Sequence, residues 1–184
     1  LKNIDLDIEA AAMGLDFFVL GGKLRGGTGV SAKREARVYR KVVSLSSGSD
    51  STWTLAKTVS AQIENRPRMA AAVACGDVLF AVGDPGDKSV GIYARQSNET
   101  AWFATSLIKF GSLGESQMTS DGADFGASLA LSSDNVLAVG AYGSTPTIDH
   151  SDSPLGNTGS VFIYRLTVSA APGASPQTAV QLII

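Results

Sequence analysis

Of the residue types that carry most enzyme and metal chemistry, this chain of 184 residues has one cysteine, Cys75, and one histidine, His150. A disulfide framework within the chain is thereby excluded, as is a zinc site built from the usual cysteine and histidine ligands. Charged residues make up only 17% of the sequence and the net charge is −2, so no basic footprint for nucleic acid is present. No apolar run reaches the roughly 18 to 20 residues of a membrane-spanning helix. No signal peptide is visible, and any anchor or targeting segment is expected outside this stretch. Hydrophobic residues nevertheless reach 44%, enough for a substantial core and too many for a disordered tail.

What the sequence does have is a fourfold unit that recurs three times. The clearest copy runs through 124–131 and 135–141, and the same pattern returns earlier at 69–74 and 78–85 and at 8–12 and 17–22. Each copy continues with an alternating segment near a tyrosine, at 36–39, 90–93 and 160–165, and closes with a fourth at 52–59, 101–108 and 178–184. The third copy is the longest, and the excess sits in the connection between Gly140 and Tyr164. Segments rich in Val, Ile, Phe, Tyr and Trp, punctuated by Gly, Ser, Asp and Pro, predict short antiparallel strands. The expected fold is all-β: three four-stranded antiparallel repeats of the β-propeller blade type, spanning 1–59, 60–109 and 110–184. Phe125, Trp53 and Trp102 recur in register and are read as core. The glycines that close the second strands stand where the backbone is crowded and a Cβ is not tolerated.

These residues resemble the FG-GAP repeats of the integrin α-chain propeller family, more closely its calcium-free form common in large surface proteins of microbes. In that family Phe-Gly opens the first strand, Gly-Ala-Pro closes the second, and a tyrosine strand and a Trp strand complete the blade. Phe125-Gly126 and Gly140-Ala141-Tyr142 match in the third copy, Gly83-Asp84-Pro85 keeps two of three in the second, and Gly21-Gly22 keeps the glycine in the first. Arg68-Met69 and Leu6-Asp7 stand where Phe-Gly would be. The resemblance covers essentially the whole chain. Because roughly four to eight blades usually close a ring, it implies part of a larger, seven-bladed-type propeller, with blade edges open to self-association. It further implies a non-catalytic module for protein interaction or adhesion at a cell surface or in a secreted protein, with no cofactor. A structural scaffold, or an accessory domain of a larger hydrolase, are the alternatives.

The family's usual binding surface maps here onto connections near 23–34, 84–89, 142–159, 62–66 and 111–122. Arg25, Lys33, Arg34, Asp84, Tyr142 and His150 are the candidate contacts to a protein partner or extracellular ligand. The basic run from Lys33 to Lys41 reads as a solvated edge. The hairpins Gly14-Leu15-Asp16, Gly76-Asp77 and Ser132-Ser133-Asp134-Asn135 are too short and too poor in carboxylates for calcium, so no metal ligands are assigned. Asp84 with Asp87, and Asp121 with Asp124, read as turn formers. His150 shares a Gly/Ser/Pro loop with Ser151 and Asp152, which lacks the rigid setting a catalytic triad needs. Cys75 reads as a buried thiol at a strand end, and Asn98-Glu99-Thr100 is a candidate glycosylation site. A rival reading takes 16–28 as a phosphate loop followed by a helix over 31–43, a nucleotide-binding α/β domain. That loop has Gly27 where a lysine is required, and Arg37-Val38-Tyr39-Arg40 is in register with the two later tyrosine strands.

Overall fold

The computed structural model describes residues 5–25, 33–43, 51–60, 68–95, 101–115, 123–144, 158–170 and 174–183. They form three four-stranded antiparallel sheets. Sheet I comprises β1 (Leu6–Met13), β2 (Phe17–Leu24), β3 (Arg34–Val43) and β4 (Ser51–Ser60). Sheet II comprises β5 (Ala72–Cys75), β6 (Leu79–Asp84), β7 (Ser89–Ala94) and β8 (Phe103–Lys109), and sheet III β9 (Ser128–Leu131), β10 (Val136–Ala141), β11 (Ser160–Ser169) and β12 (Gln177–Leu182). In every sheet the strands pair in chain order. Sheet I stacks on sheet II and sheet II on sheet III, with the first strands β1, β5 and β9 successive neighbours.

The all-β expectation holds, and the helix over 31–43 does not. Arg34–Val43 is a strand, no α-helix occurs among the described residues, and the nucleotide-binding α/β alternative falls with it. The physical reason lies in side-chain spacing. Ala36 and Val38 face one side and Tyr39 the other, the period of two that a sheet buried on both faces requires.

The same alternation builds the interior. Phe17, Val19 and Val38 from sheet I meet Met69, Phe80, Val82 and Trp102 in one cluster. On the other side of sheet II, Leu79, Ala81, Val90 and Ile92 meet Phe125, Leu137, Phe162 and Tyr164. The three tyrosines occupy one site, since Phe18 pairs with Tyr39, Phe80 with Tyr93 and Leu137 with Tyr164. Phe18 and Tyr39 stack at 5.0 Å between ring centroids and Phe80 and Tyr93 at 4.7 Å. Trp53 and Trp102 meet Phe18 and Phe80 edge-on at 4.8 and 4.9 Å. Phe125 and Trp102 are core residues as expected, while Trp53 is half-buried. A register shift falls at the same place in two sheets, between Val38 and Tyr39 and between Ile92 and Tyr93.

How the sheets join corrects the reading of the Phe-Gly motif. Phe125-Gly126 does not lie in a strand but in a turn ahead of β9, closed by the Ala127 amide donating to the Asp124 carbonyl at 2.9 Å. Gly126 has φ +91°, the left-handed value that a type II turn demands at its third position. The equivalent turn ahead of β5 has the Ala71 amide on the Arg68 carbonyl at 3.3 Å, with Ala70 at φ 56°. The counterpart of Phe-Gly is therefore Met69-Ala70, one residue later than the sequence alignment placed it. Sheet I has no such turn at Leu6-Asp7, because β1 continues through both residues, with Leu6 opposite Leu24 and Asp7 opposite Lys23.

Each turn locks two sheets together. The Ala70 and Gly126 amides donate to the carbonyls of Gly83 and Gly140 in their own sheets, at 2.8 and 3.1 Å. Their carbonyls lie against Gly21 and Gly83 of the preceding sheets, in the space that a Cβ would fill. At Gly140 the same space holds only the Oγ of Ser128. Backbone cannot yield as a serine side chain can, so Gly83→Ala is expected to cost about 3 kcal/mol of unfolding free energy and Gly140→Ala within about 1 kcal/mol. Urea titration of the two variants checks the contrast, and equal losses would contradict it.

Candidate interaction surface

The second strands β2, β6 and β10 all finish at one end of the stack, and there the sheets are joined by side chains as well as turns. The Glu9 position coincides with the register shift of β1 between Ile8 and Ala10, which frees its side chain from regular pairing. Arg34, at the start of β3, forms a bidentate pair with Glu9, through Nη1 to Oε1 at 3.2 Å and Nη2 to Oε2. Its Nε donates to the Met69 carbonyl at 2.6 Å, so one guanidinium ties sheet I to the turn that opens sheet II. Lys23 Nζ reaches Glu9 Oε1 at 3.8 Å. The Arg34 hydrogen bond, opposed by desolvation, holds the Glu9 carboxyl below its ordinary range.

The next junction repeats the device with different residues. Arg68 Nη1 pairs with Asp124 Oδ1, and these two residues hold the same position in successive turns. Arg68 Nη2 donates to the Tyr142 hydroxyl at 3.1 Å, and its guanidinium carbon lies 6.0 Å from the centre of that ring. Tyr142 follows β10 and is 63% exposed, so an aromatic side chain stands at the surface with its hydroxyl held by a paired arginine.

The other sequence candidates are placed differently. Arg25 is exposed and donates from Nε to Asp7 Oδ1 at 3.1 Å. Lys33 is exposed, and its carbonyl accepts from the Leu24 amide at 2.9 Å. Arg34 is 4% exposed and engaged on all sides just described. Asp84 is also buried, and its carboxylate accepts from the Asp87 amide at 3.3 Å within the Asp84-Pro85-Gly86-Asp87 turn. Gly86 bridges the two groups in space, lying beside both Asp84 Oδ1 and Arg68 Cβ, which brings Asp84 and Tyr142 to one end of the stack. His150, Asn98 and Asp121 lie outside the described residues. Among those described, no group of three His, Cys, Asp or Glu side chains could hold a metal ion, and no helix is long and apolar enough to cross a membrane.

Three features escaped the sequence. The basic run that begins at Lys33 is not a solvated edge: Arg34 is buried, and Arg37 donates from Nη1 to Asp5 Oδ1 at 2.6 Å and from Nε to Glu35 Oε2 at 3.0 Å. At the opposite end of the stack, Arg95 forms a bidentate pair with Asp16 and lies over the rings of Phe17 and Trp102, at 5.4 and 5.3 Å. Glu115, fully buried, accepts from the Tyr164 hydroxyl at 2.7 Å and from the Leu113 amide at 2.9 Å. Burial first, then the bond to Glu115, pushes the Tyr164 phenol above its ordinary range. Cys75 closes β5 as expected, half-buried, with its thiol pushed up to about 12 by desolvation.

Compared with known proteins, the chain matches no family model and no curated protein sequence.

The Glu9 pairing sets a pH dependence. A carboxyl held below its value of 4.5 in the folded state adds stability that is fully present above that pH and is lost as pH falls through the lower, folded value. Wild-type protein should therefore lose more stability below pH 4.5 than Glu9→Gln does, with parallel behaviour at higher pH. Urea midpoints measured across that range check the difference, and parallel acid profiles would contradict it.

Proposed function

We propose that the chain is a non-catalytic interaction module, built as three blades of an FG-GAP-like propeller, that engages a protein partner at the end of the stack where Tyr142, Arg68 and Asp124 meet. The observation that carries this reading is Tyr142: a largely exposed aromatic fixed by a charged network, on a loop joined to a stacked β scaffold. Tyrosine and arginine supply large contact area with a polar handle and recur as the anchors of protein interfaces. The likeness of Phe125-Gly126 and Gly140-Ala141-Tyr142 to the integrin-type repeat supports an adhesive role at a cell surface or in a secreted protein, with Asn98 as a glycosylation site. The buried candidates Arg34 and Asp84 serve this surface by holding its turns, and Arg25 and Lys33 supply its exposed charge.

A second reading, an assembly module whose sheets pack against other subunits, is favoured by one observation, the exposure of Val161 on the outer face of sheet III.

The test separates binding from folding. Tyr142→Ala should leave the far-ultraviolet spectrum and melting midpoint unchanged while weakening affinity for a partner captured from an extracellular fraction by more than about tenfold. Unchanged affinity would remove Tyr142 from the surface and, with it, the proposal.

A further inference from the structure

The repeat supplies an internal control for each junction between sheets. Phe17 pairs with Arg40, Leu79 with Ala94 and Val136 with Arg165, so these three pairs hold one position. The next residue along each third strand donates its amide to the residue just ahead of the second strand: Lys41 to the Asp16 carbonyl, Arg95 to Val78 and Leu166 to Asn135. Asp16, Val78 and Asn135 are therefore equivalent, as are Lys41, Arg95 and Leu166. Between sheets II and III this end is closed by Val78, Ala94 and Leu166, all packed in one apolar cluster. Between sheets I and II the same three positions hold Asp16, Arg40 and Arg95. Hydrocarbon closes one junction and three charges the other, so the stacking itself does not require the charges.

The charged junction is short of acceptors. Arg95 is 8% exposed and spends both Nη groups on the Asp16 carboxylate, which leaves its Nε without a partner. Arg40 Nε is also buried and unpartnered. Its approach to an acid is 3.9 Å, to the same Asp16 Oδ2 that accepts from Arg95 Nη1 at 3.0 Å. Trp102 is 3% exposed, its ring centre lies 5.3 Å from the Arg95 guanidinium carbon, and its Nε1 has no acceptor. Among the described residues these are all the buried side-chain nitrogens that lack a hydrogen bond, and they gather in one place.

One carboxylate between two guanidinium groups leaves a surplus of one positive charge. Lys41 and Asp77, which flank the cluster in the chain, are both exposed and offset each other. The Arg40 and Asp16 side chains are 32% and 35% exposed, so the junction opens on their side. Arg95 is held by the rings of Phe17 and Trp102 and by Asp16, which fixes its donors before any ligand arrives.

We propose that this junction is a binding site for a small oxyanion, a phosphate or carboxylate group, seated between Arg40 and Arg95 and entering from the Arg40 side. The ligand supplies the acceptor oxygens that the protein does not and balances the surplus charge. A guanidinium fork matches the oxygen spacing of both groups. The site lies at the opposite end of the stack from Tyr142, and the inference does not rest on that surface.

Titration of the isotope-labelled whole chain with inorganic phosphate, and separately with acetate, tests this by following the indole and arginine Nε resonances at constant ionic strength in sodium chloride. The chain has two tryptophans, which makes Trp53 the control. The expected result is a saturable shift of the Trp102 indole and Arg95 Nε signals, with a dissociation constant of about 1 mM for at least one anion and no shift at Trp53. Arg40→Gln should weaken binding more than about tenfold, while Arg165→Gln, at the same position on the outer face of sheet III, should leave it unchanged. Should Arg40→Gln fail to fold, Arg40→Lys, which keeps the charge and loses the fork, should still bind several-fold more weakly. Saturation by phosphate alone assigns the site to phosphorylated ligands, by acetate alone to carboxylates, and by both to either group. No saturable shift from either anion up to about 50 mM would overturn the proposal and leave the three donors to water, as would undiminished binding in the Arg40 variants.

Discussion

A backbone carbonyl resting where a Cβ would be is the contact on which this molecule depends. At the two turns between sheets it is made by Ala70 against Gly21 and Gly126 against Gly83, and each time the residue that offers the carbonyl has positive φ. The contact fixes how closely two sheets approach, since any side chain at the glycine would drive them apart. It also fixes their register, because the amide of the same residue is bonded to the second strand of its own sheet. One turn residue therefore positions three strands, and the clusters between sheets are packed to a spacing that the backbone has already set.

The side-chain network at the strand ends follows from that spacing. Arg34 can reach both Glu9 and the Met69 carbonyl only because the turn brings Met69 to the edge of sheet I. Arg68 and Asp124 meet because they hold one position in consecutive turns. A buried guanidinium is costly unless its donors are satisfied, and Arg34 is satisfied by a bidentate carboxylate and a carbonyl together. At the other end the Arg95–Asp16 pair, with Phe17 and Trp102 beneath it, joins sheets I and II again. Tyr142 gains its fixed place from this network, so the surface proposed for partner binding is a by-product of how the sheets are held.

The strand content and the tyrosine sites were legible because period-two alternation and an in-register aromatic are local signals, as in Phe80-Ala81-Val82 and Gly91-Ile92-Tyr93. The place of the Phe-Gly motif was misread in the second copy. Ala70 adopts the left-handed conformation without being glycine, and Met69 stands in for phenylalanine, so neither residue announces the turn. Partnerships across sheets were illegible for a different reason: Arg95 and Asp16 are 79 residues apart, and Arg68 and Tyr142 are 74 apart. Nothing in the neighbourhood of either arginine names its partner. Glu115 carried one signal, a single acid in a Gly/Ser/Leu segment following Phe110, but its burial depends on Tyr164 arriving from the third sheet.

Native-state amide hydrogen exchange tests the central claim most directly, because the amides of Ala70 and Gly126 report on the interlocking turns themselves. If those turns hold the sheets together, both amides should exchange only through global unfolding, with the same free energy as the buried strands β2 and β6. Exchange of Ala70 and Gly126 through local opening, at rates like those of the outer strand β4 while β6 stays protected, would contradict the account and make the turns passengers on sheets held by their side chains alone.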